Sequence, residues 1–441
     1  MSRRMSIYVH IPFCIKKCGY CDFLSFPIGK CERQKEAAFG GSCEGSVPEE
    51  YLRRLLLEIH QGSGDYADRE VDTVFVGGGT PSLLQPGQAD RLFDRIYQSF
   101  HVTPDAEITM EANPGTLSKE KLEAYRQMGI NRLSIGLQSA DDEELAVLGR
   151  IHRLDDFQKS FALARDCGFK NINIDLISGL PGQSIDSWLQ TLHTAVDFGP
   201  EHISAYGLII EEGTPFYQLY GTDDEEVMAE QNKKKSEEGK LPSEKEDISK
   251  PLSETNGREK LPSEEEDRQM YHDTGDILGK HGYRQYEISN YAKPGYECRH
   301  NIGYWIRKDY IGFGLGAASM DRNIRWKNTS DLKEYMTYAG GGQQIGSEDE
   351  GQEDIGLLKR NVEVLTVQEQ MEETMFLGLR MNQGVSKAEF DALYGINMDE
   401  LYGAWLHKMT AEGLLLDGDR VCLSERGRDL ANYVMAGFLL G

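Results

Sequence analysis

The residues best suited to chemistry are three closely spaced cysteines near the start of the chain: Cys14, Cys18 and Cys21. Their spacing is C-x3-C-x2-C, directly behind an apolar run that is typical of a strand. A structural zinc ion takes four protein ligands, and only Cys31 or Cys43 could complete such a site. An iron–sulfur cubane that only carries electrons takes four thiolates, so three thiolates leave one iron open for a substrate or cofactor. Free cysteines are the remaining alternative, which the regular spacing disfavours.

Further residues that could bind a ligand lie in or directly after the second to fifth predicted strands. Three consecutive glycines, residues 77–79, follow the second strand. Glu111 ends the third strand, Gln138 ends the fourth, and Asp175 lies in the fifth. Whether these residues meet the cysteines depends on the elements that carry them.

Those elements alternate regularly over the first half of the chain. Six strand-like runs are separated by helical patterns with apolar residues three and four positions apart: SIYVHI, DTVFVG, EITMEA, RLSIGL, NINIDLI and HISAYGLII. The alternation predicts an α/β fold, a partial (β/α)6 TIM-like barrel over residues 1–221. Because the loops after parallel strands converge at one edge of the sheet, the residues above are expected to line one site.

The rest of the chain divides into three segments. Residues 222–268 are rich in Lys, Glu, Ser and Pro and repeat KLPSE(K/E)ED, which predicts a disordered acidic insertion. Residues 269–365 form a connecting region, and 340–354 resemble a second polar insertion. Residues 366–441 show three helical patterns and an Asp-Gly hairpin signal, which predict a smaller, mainly helical, winged-helix-like domain.

Composition narrows the function classes. The net charge of −25 argues against nucleic acid as a partner and against a DNA-binding regulator, because phosphate binding needs clustered Lys and Arg. The sequence contains no apolar run long enough for a transmembrane segment and no signal-peptide pattern at its N-terminus. We therefore expect a cytoplasmic protein, in whose reducing environment the cysteines hold a metal or cluster.

The cysteine spacing, with Tyr20 before the last cysteine, resembles the signature of the radical S-adenosylmethionine (SAM) superfamily. VGGGTP (76–81) resembles the glycine motif of that family. YVHIPFC, EANPG, RLSIGLQS, LGRIH, NIDLISGLPGQ and the helical tail narrow the resemblance to the coproporphyrinogen-dehydrogenase-like branch. The resemblance implies a [4Fe-4S] cluster on the three cysteines, SAM on the open iron, and an electron donor that reduces the cluster.

The resemblance also implies which residues contact SAM. The matching positions are Tyr8, Tyr20, Gly78, Gly79, Thr80, Glu111, Gln138, Arg150 and Asp175. Their chemistry suits these roles, since Arg150 can pair with the SAM carboxylate while Glu111 or Asp175 accepts hydrogen bonds from ribose hydroxyls. Taken singly, Arg150 is equally consistent with a surface charge, Gln138 with a strand cap and Asp175 with a buried carboxylate.

Phe23 separates two functions within this branch. The oxygen-independent coproporphyrinogen III oxidases carry a further cysteine at that position and an N-terminal arm, and this chain has neither. Both differences resemble the haem chaperones of the branch, which bind haem and pass it to acceptor proteins. RHNIGYW (299–305) then predicts His300 as a haem ligand, with Cys298 as a thiolate alternative and a buried structural turn as the competing interpretation. The resemblance leaves open whether SAM is cleaved.

Overall fold

The computed structural model describes residues 4–28, 46–221, 259–338 and 358–440. Its first half alternates strands and helices as the sequence predicts. The strands are β1 (Arg4–Ile11), β2 (Phe13–Cys14), β3 (Phe26–Pro27), β4 (Glu70–Gly78), β5 (His101–Ala112), β6 (Arg132–Gln138), β7 (Ile172–Ser178) and β8 (His202–Gly207). The helices are α1 (Glu49–Gly62), α2 (Pro86–Ser99), α3 (Lys119–Gln127), α4 (Asp142–Val147), α5 (Leu154–Asp166), α6 (Ile185–Asp197) and α7 (Pro215–Tyr220).

Six of these strands pair side by side and in parallel, in the order β1-β4-β5-β6-β7-β8. Every residue of β6 is buried, as expected for a strand covered on both faces. Side-chain caps start the intervening helices, for example Ser118 on α3, Asp141 on α4 and Ser184 on α6. The predicted (β/α)6 partial barrel is confirmed.

The connecting region extends this sheet at both edges. It contains β9 (Arg284–Glu287), β10 (Asn290–Ala292), β11 (Tyr310–Phe313), β12 (Ala318–Asp321), β13 (Ile324–Asn328) and β14 (Lys359–Val364). Its helices are α8 (Glu264–Lys280), α9 (Arg299–Trp305) and α10 (Leu332–Tyr338). β11 pairs in parallel with β1, and β10 pairs antiparallel with β8, giving a twelve-stranded sheet. The sequence had not predicted that this region belongs to the sheet.

One boundary of the predicted insertion is wrong. Disorder was expected through residue 268, but α8 begins at Glu264, and Ser263 and Glu266 form its capping box. Trp188 on α6 donates through Nε1 to Thr274 Oγ1 at 3.0 Å and so holds α8 against the barrel. The polar first turn of this helix looks like insertion sequence because its buried residues begin only at Met270. Residues 222–258 of the predicted insertion lie outside the described residues, as do segment 340–354, Cys31 and Cys43.

The last segment has its own hydrophobic core and forms the predicted helical, winged-helix-like domain. Its helices are α11 (Val367–Gly378), α12 (Lys387–Tyr394), α13 (Met398–Ala411), α14 (Glu425–Asp429) and α15 (Ala431–Ala436). A small antiparallel sheet is made of β15 (Val385–Ser386), β16 (Leu415–Asp417) and β17 (Arg420–Leu423), in the order β15-β17-β16. The Asp-Gly hairpin joins β16 to β17 as expected. In the described ranges, no helix is both long and apolar enough to cross a membrane.

Candidate functional site

A cavity of about 390 Å³ lies at the carboxyl ends of the parallel strands. Its size falls within the range of roughly 300–1,000 Å³ that is usual for small-molecule sites. Eleven of the thirteen predicted site residues line it: Cys14, Cys18, Tyr20, Cys21, Gly78, Gly79, Thr80, Glu111, Gln138, Arg150 and Asp175. The topology therefore brings together residues that are separated by up to 161 positions in sequence, from Cys14 to Asp175.

The cysteine loop, residues 14–24, is fixed to the barrel through Gly19. The Gly19 amide donates to Leu148 O at 3.2 Å, and the Phe216 amide donates to Gly19 O at 3.0 Å. A Cβ on Gly19 would lie 2.9 Å from the Phe216 ring, so a side chain there would displace α7 or the loop. These contacts hold the loop across the cavity without using a cysteine.

The three thiols have only weak protein partners. Thr80 Oγ1 lies 3.5 Å from Cys14 Sγ, and Arg150 Nη1 lies 3.8 Å from Cys18 Sγ. All three are free and half-buried, and burial raises the pKa of Cys14 and of Cys21. In the part of the chain that the structure describes, no three His, Cys, Asp or Glu side chains are grouped to hold a single ion. A cubane makes a different demand, because each thiolate binds a different iron, and three partly exposed thiols fit that donor set.

The glycine motif packs against the first strand. The Gly79 amide donates to Ile11 O at 2.9 Å, and the Thr80 amide donates to Phe13 O at 2.7 Å. Gly78 has φ +113°, and a Cβ there would lie 2.5 Å from the His10 ring. The glycines are thus required for backbone packing as well as for close approach to a ligand in the cavity.

Two carboxyl groups, those of Glu111 and Asp175, form one wall of the cavity. Glu111 Oε2 accepts from the Gly78 amide at 3.0 Å, and burial together with the neighbouring Asp175 raises the pKa of Glu111 to about 8. Asp175 accepts from Ser134 Oγ at 2.8 Å and from Asn173 Nδ2 at 2.8 Å. Both groups are therefore held in fixed positions by neighbouring donors.

Arg150 supplies the opposite charge. Its Nη2 donates to Asn113 Oδ1 at 2.7 Å and to Gly136 O at 3.2 Å, which fixes the guanidinium in the cavity wall. Its Nη1 has the Cys18 thiol at 3.8 Å as its partner. Gln138, on the same wall, adopts φ 71°, an uncommon left-handed conformation for a residue other than glycine. Strain of this kind concentrates at functional sites.

Asn113 is a site residue that sequence reasoning did not select. Besides its bond to Arg150, its Nδ2 donates to Thr80 Oγ1 at 2.7 Å, so it connects the glycine motif to the guanidinium. It follows β5 two residues after Glu111, within the EANPG motif, and that position was the available signal. Ser134, Gly136, His152 and Tyr206 also line the cavity without having been predicted.

Two predicted residues do not line this cavity. Tyr8 lies on β1 with its hydroxyl 2.8 Å from His10 Nδ1 and its ring stacked on Phe75. His300 is buried at 1% exposure, with Nδ1 2.9 Å from Thr73 Oγ1 and Nε2 2.9 Å from Tyr304 Oη. Both His300 nitrogens are therefore occupied, and burial lowers the pKa of this imidazole to about 3. Haem ligation by His300 stays a prediction, and it requires at least one of these two hydrogen bonds to break.

Cys298 is equally enclosed. It is fully buried, its thiol donates to Glu107 Oε1 at 3.5 Å, and burial raises its pKa to about 12. Glu107 also accepts from the backbone amides of Arg299 and His300 at 3.0 and 3.1 Å, so this carboxylate caps the start of α9. The thiolate alternative therefore has no open path to a porphyrin in this arrangement.

The other end of α9 contacts the C-terminal domain. Arg380 lies over the Trp305 ring at 4.4 Å, and Arg307 Nε donates to Glu373 Oε2 at 3.0 Å. Arg325 forms a second ion pair with Glu373. In this structure, RHNIGYW joins the barrel to the C-terminal domain.

A parallel partial barrel that carries a C-x3-C-x2-C loop at its open end has the architecture of a radical SAM protein. Residues 8–195 match the description "Radical SAM superfamily", and residues 365–430 match "HemN C-terminal domain". The solved structure of coproporphyrinogen III oxidase (HemN) from Escherichia coli superposes with a TM-score of 0.74 at 22% identity, over 100% of this chain and 91% of that one. That similarity establishes the fold.

Relatives that match over nearly the whole chain specify the family within the radical SAM proteins. The heme chaperone HemW of Bacillus subtilis is 34% identical over 436 residues, which cover 98% of this chain and 99% of that protein. The heme chaperone HemW of Escherichia coli is 32% identical over 437 residues, which cover 99% and 98%. The chain therefore belongs to the HemW family of radical SAM proteins.

Proposed function

We propose that this protein is a haem chaperone that binds haem and transfers it to acceptor proteins. The observation that carries the proposal is full-length similarity to HemW proteins. It is supported by a cavity lined by the three cysteines and by Phe23, at the position where the resemblance implies a further cysteine in the oxidases. The free thiols suit the reducing cytoplasm, in which we place the protein.

The cavity residues support a [4Fe-4S] cluster and SAM as cofactors. Cys14, Cys18 and Cys21 would hold the cluster and leave one iron for SAM. Arg150 would bind the SAM carboxylate, because its guanidinium is already oriented by Asn113. Glu111 and Asp175 would accept hydrogen bonds from the ribose, while the Gly78–Gly79 backbone lies close to the ligand. With both groups bound, the reduced cluster would supply one electron to SAM, so an electron donor that reduces the cluster is a partner.

Oxygen-independent coproporphyrinogen III oxidase is the second candidate. The observation in its favour is the fold that this chain shares with HemN. The exposed Phe23 side chain counts against it, because no thiol is available at that position.

One pair of assays separates the candidates. Anaerobically reconstituted protein is loaded with haem and mixed with the apo form of a b-type haem protein at several concentrations. A transfer rate that rises with acceptor concentration is expected, because a chaperone passes haem through a complex. A rate independent of acceptor means simple dissociation and contradicts the proposal. In parallel, coproporphyrinogen III is supplied with SAM and reductant; protoporphyrinogen formation would replace the proposal with the oxidase alternative.

A further inference from the structure

We propose that haem binds at the mouth of the cavity, on a rim of exposed apolar side chains flanked by two lysines. This inference rests on the proposed function, since it locates the cargo of that function. The rim consists of Ile15, Phe23, Ile151, Tyr206 and Ile209. All five side chains line the cavity, and they come from the cysteine loop, the loop after α4 and the end of β8.

All five side chains of the rim are exposed to solvent. Their exposed fractions are 43% for Ile15, 63% for Phe23, 58% for Ile151, 40% for Tyr206 and 68% for Ile209. Single exposed apolar residues are ordinary, but a group of them around one opening marks a binding surface. Because three separate segments supply the rim, its exposure is not the by-product of one poorly packed loop.

The charged side chains beside the rim also fit an anionic ligand. The chain carries a net charge of −25, yet the two charged residues of the cysteine loop that line the cavity are Lys16 and Lys17, both exposed. Lys17 Nζ donates to Phe23 O at 3.1 Å, so this cation is held beside the rim. Haem is a broad apolar plate with two propionate carboxylates on one edge. A rim of this composition, with cations on one side, complements that chemistry.

Iron ligation is not the main contribution that this rim offers. Tyr206 is the phenol of the rim, and the removal of its hydroxyl from water together with the nearby Asp175 raises its pKa, which disfavours the phenolate that would bind iron. His152 is the histidine that lines the cavity, and its Nδ1 accepts from Arg150 Nε at 3.3 Å while its Nε2 lies 3.3 Å from Leu137 O. The three cysteines are assigned to the cluster. Affinity at the rim therefore comes from covering the apolar macrocycle and pairing its carboxylates, and it depends little on the iron. Binding at the rim can therefore be distinguished from binding at His300, where affinity would depend on the iron.

The test is a titration of cluster-loaded, full-length protein with haem and with metal-free protoporphyrin IX, followed by absorbance and tryptophan quenching. Wild type is expected to bind both within about threefold of each other, since no iron ligand contributes. Phe23→Ser/Ile209→Ser and Lys16→Glu/Lys17→Glu are each expected to bind both porphyrins at least about tenfold more weakly. Val362→Ser/Val364→Ser, which alters equally exposed side chains on β14, is the matched control and should bind as wild type does.

The outcomes distinguish this inference from the proposed function. Wild type that binds neither porphyrin removes both. Wild type that binds haem, with both rim variants unchanged, removes the rim and leaves the chaperone. Haem binding that is lost in His300→Ala and retained in the rim variants reassigns the site to His300. If the Phe23 variant loses iron, Ile151→Ser/Ile209→Ser decides, because those side chains lie outside the cysteine loop. A rim variant that changes oligomeric state, with haem affinity intact, assigns the rim to a contact between copies.

Discussion

The cysteine loop and the RHNIGYW element are both rich in groups that can bind metals or porphyrins, but the fold treats them differently. In the loop, the thiols have partners at 3.5 Å or more, and Lys16, Lys17 and Phe23 are exposed. In RHNIGYW, both nitrogens of His300 are hydrogen-bonded, and Trp305 packs under Arg380. Ligand-binding residue types indicate function only where the structure leaves their donor and acceptor atoms available. The first region therefore offers available ligand groups, while the second joins the barrel to the C-terminal domain.

Removing a thiolate from the cysteine loop should have the largest effect. Cys18→Ser is expected to abolish the cubane, so that iron falls from about four per chain to a small fraction after anaerobic reconstitution. Iron and sulfide counts measure the effect. Cys167→Ser, at the end of α5, is the control and should keep full iron. A Cys18→Ser protein with a complete cluster would show that this loop is not the cluster site.

The next test concerns the cation of the cavity. Arg150→Met is expected to weaken SAM binding by about 10- to 100-fold, because a charge-assisted hydrogen bond contributes roughly 1.5–3 kcal/mol. Equilibrium dialysis with cluster-loaded protein measures the dissociation constant. Arg153→Met is the matched control, since that side chain is 77% exposed just outside the cavity. Equal losses in both variants would mean a general charge effect and not a carboxylate contact.

For the RHNIGYW element, the expected effect is on stability. His300→Ala leaves the hydroxyls of Thr73 and Tyr304 without their shared partner and opens a cavity beside Phe75. We expect a loss of about 3 kcal/mol in the free energy of unfolding, measured by urea denaturation. His407→Ala, on the exposed face of α13, should change it by less than about 0.5 kcal/mol. A His300 variant as stable as wild type would contradict the structural role.

A fourth test concerns Glu58, a buried carboxyl group in the core. Glu58 accepts from Asn328 Nδ2 at 2.6 Å, from Tyr335 Oη at 2.6 Å and from the Gly314 amide at 3.0 Å, yet burial raises its pKa from 4.5 to about 7. The folded state therefore holds this proton more tightly than the unfolded state. The resulting stability is present in full below about pH 4.5 and is lost as the pH rises through 7.

The predicted size of the Glu58 contribution is about 3 kcal/mol, from the difference between its folded and unfolded pKa values. Urea denaturation of wild type and Glu58→Gln at pH 5 and pH 8 measures it. The difference in stability between the two pH values should be smaller in the variant, because glutamine does not titrate. An identical pH dependence in both proteins would mean that other groups are responsible.

The sequence predicts those features of the fold that depend on residues close together in the chain. The cysteine spacing and the β-branched runs are local, and they predict the barrel and the loop correctly. The parallel pairing of β11 with β1 joins residues about 300 positions apart. The residues of one strand do not indicate which other strand it pairs with. Asn113 is missed for a related reason: its role depends on Thr80 and Arg150, which only the fold brings beside it.

His300 illustrates the opposite limit. A histidine next to aromatic residues reads as a ligand in sequence, because side-chain direction is not encoded in residue type. Its actual partners, Thr73 on β4 and Tyr304 one helical turn later, become visible only when α9 packs on the sheet. Sequence reasoning can therefore propose which residues have ligand chemistry, but burial and hydrogen bonding decide which of them remain available.

We propose that the cysteine loop carries a cluster whose open iron faces the cavity and binds SAM. The most direct measurement is the low-temperature electron paramagnetic resonance spectrum of the reduced, reconstituted protein with and without SAM. We predict that SAM changes the g values of the cluster in wild type and in His300→Ala, and that Arg150→Met needs much more SAM for the same change. A wild-type spectrum that is identical with and without saturating SAM would contradict the account.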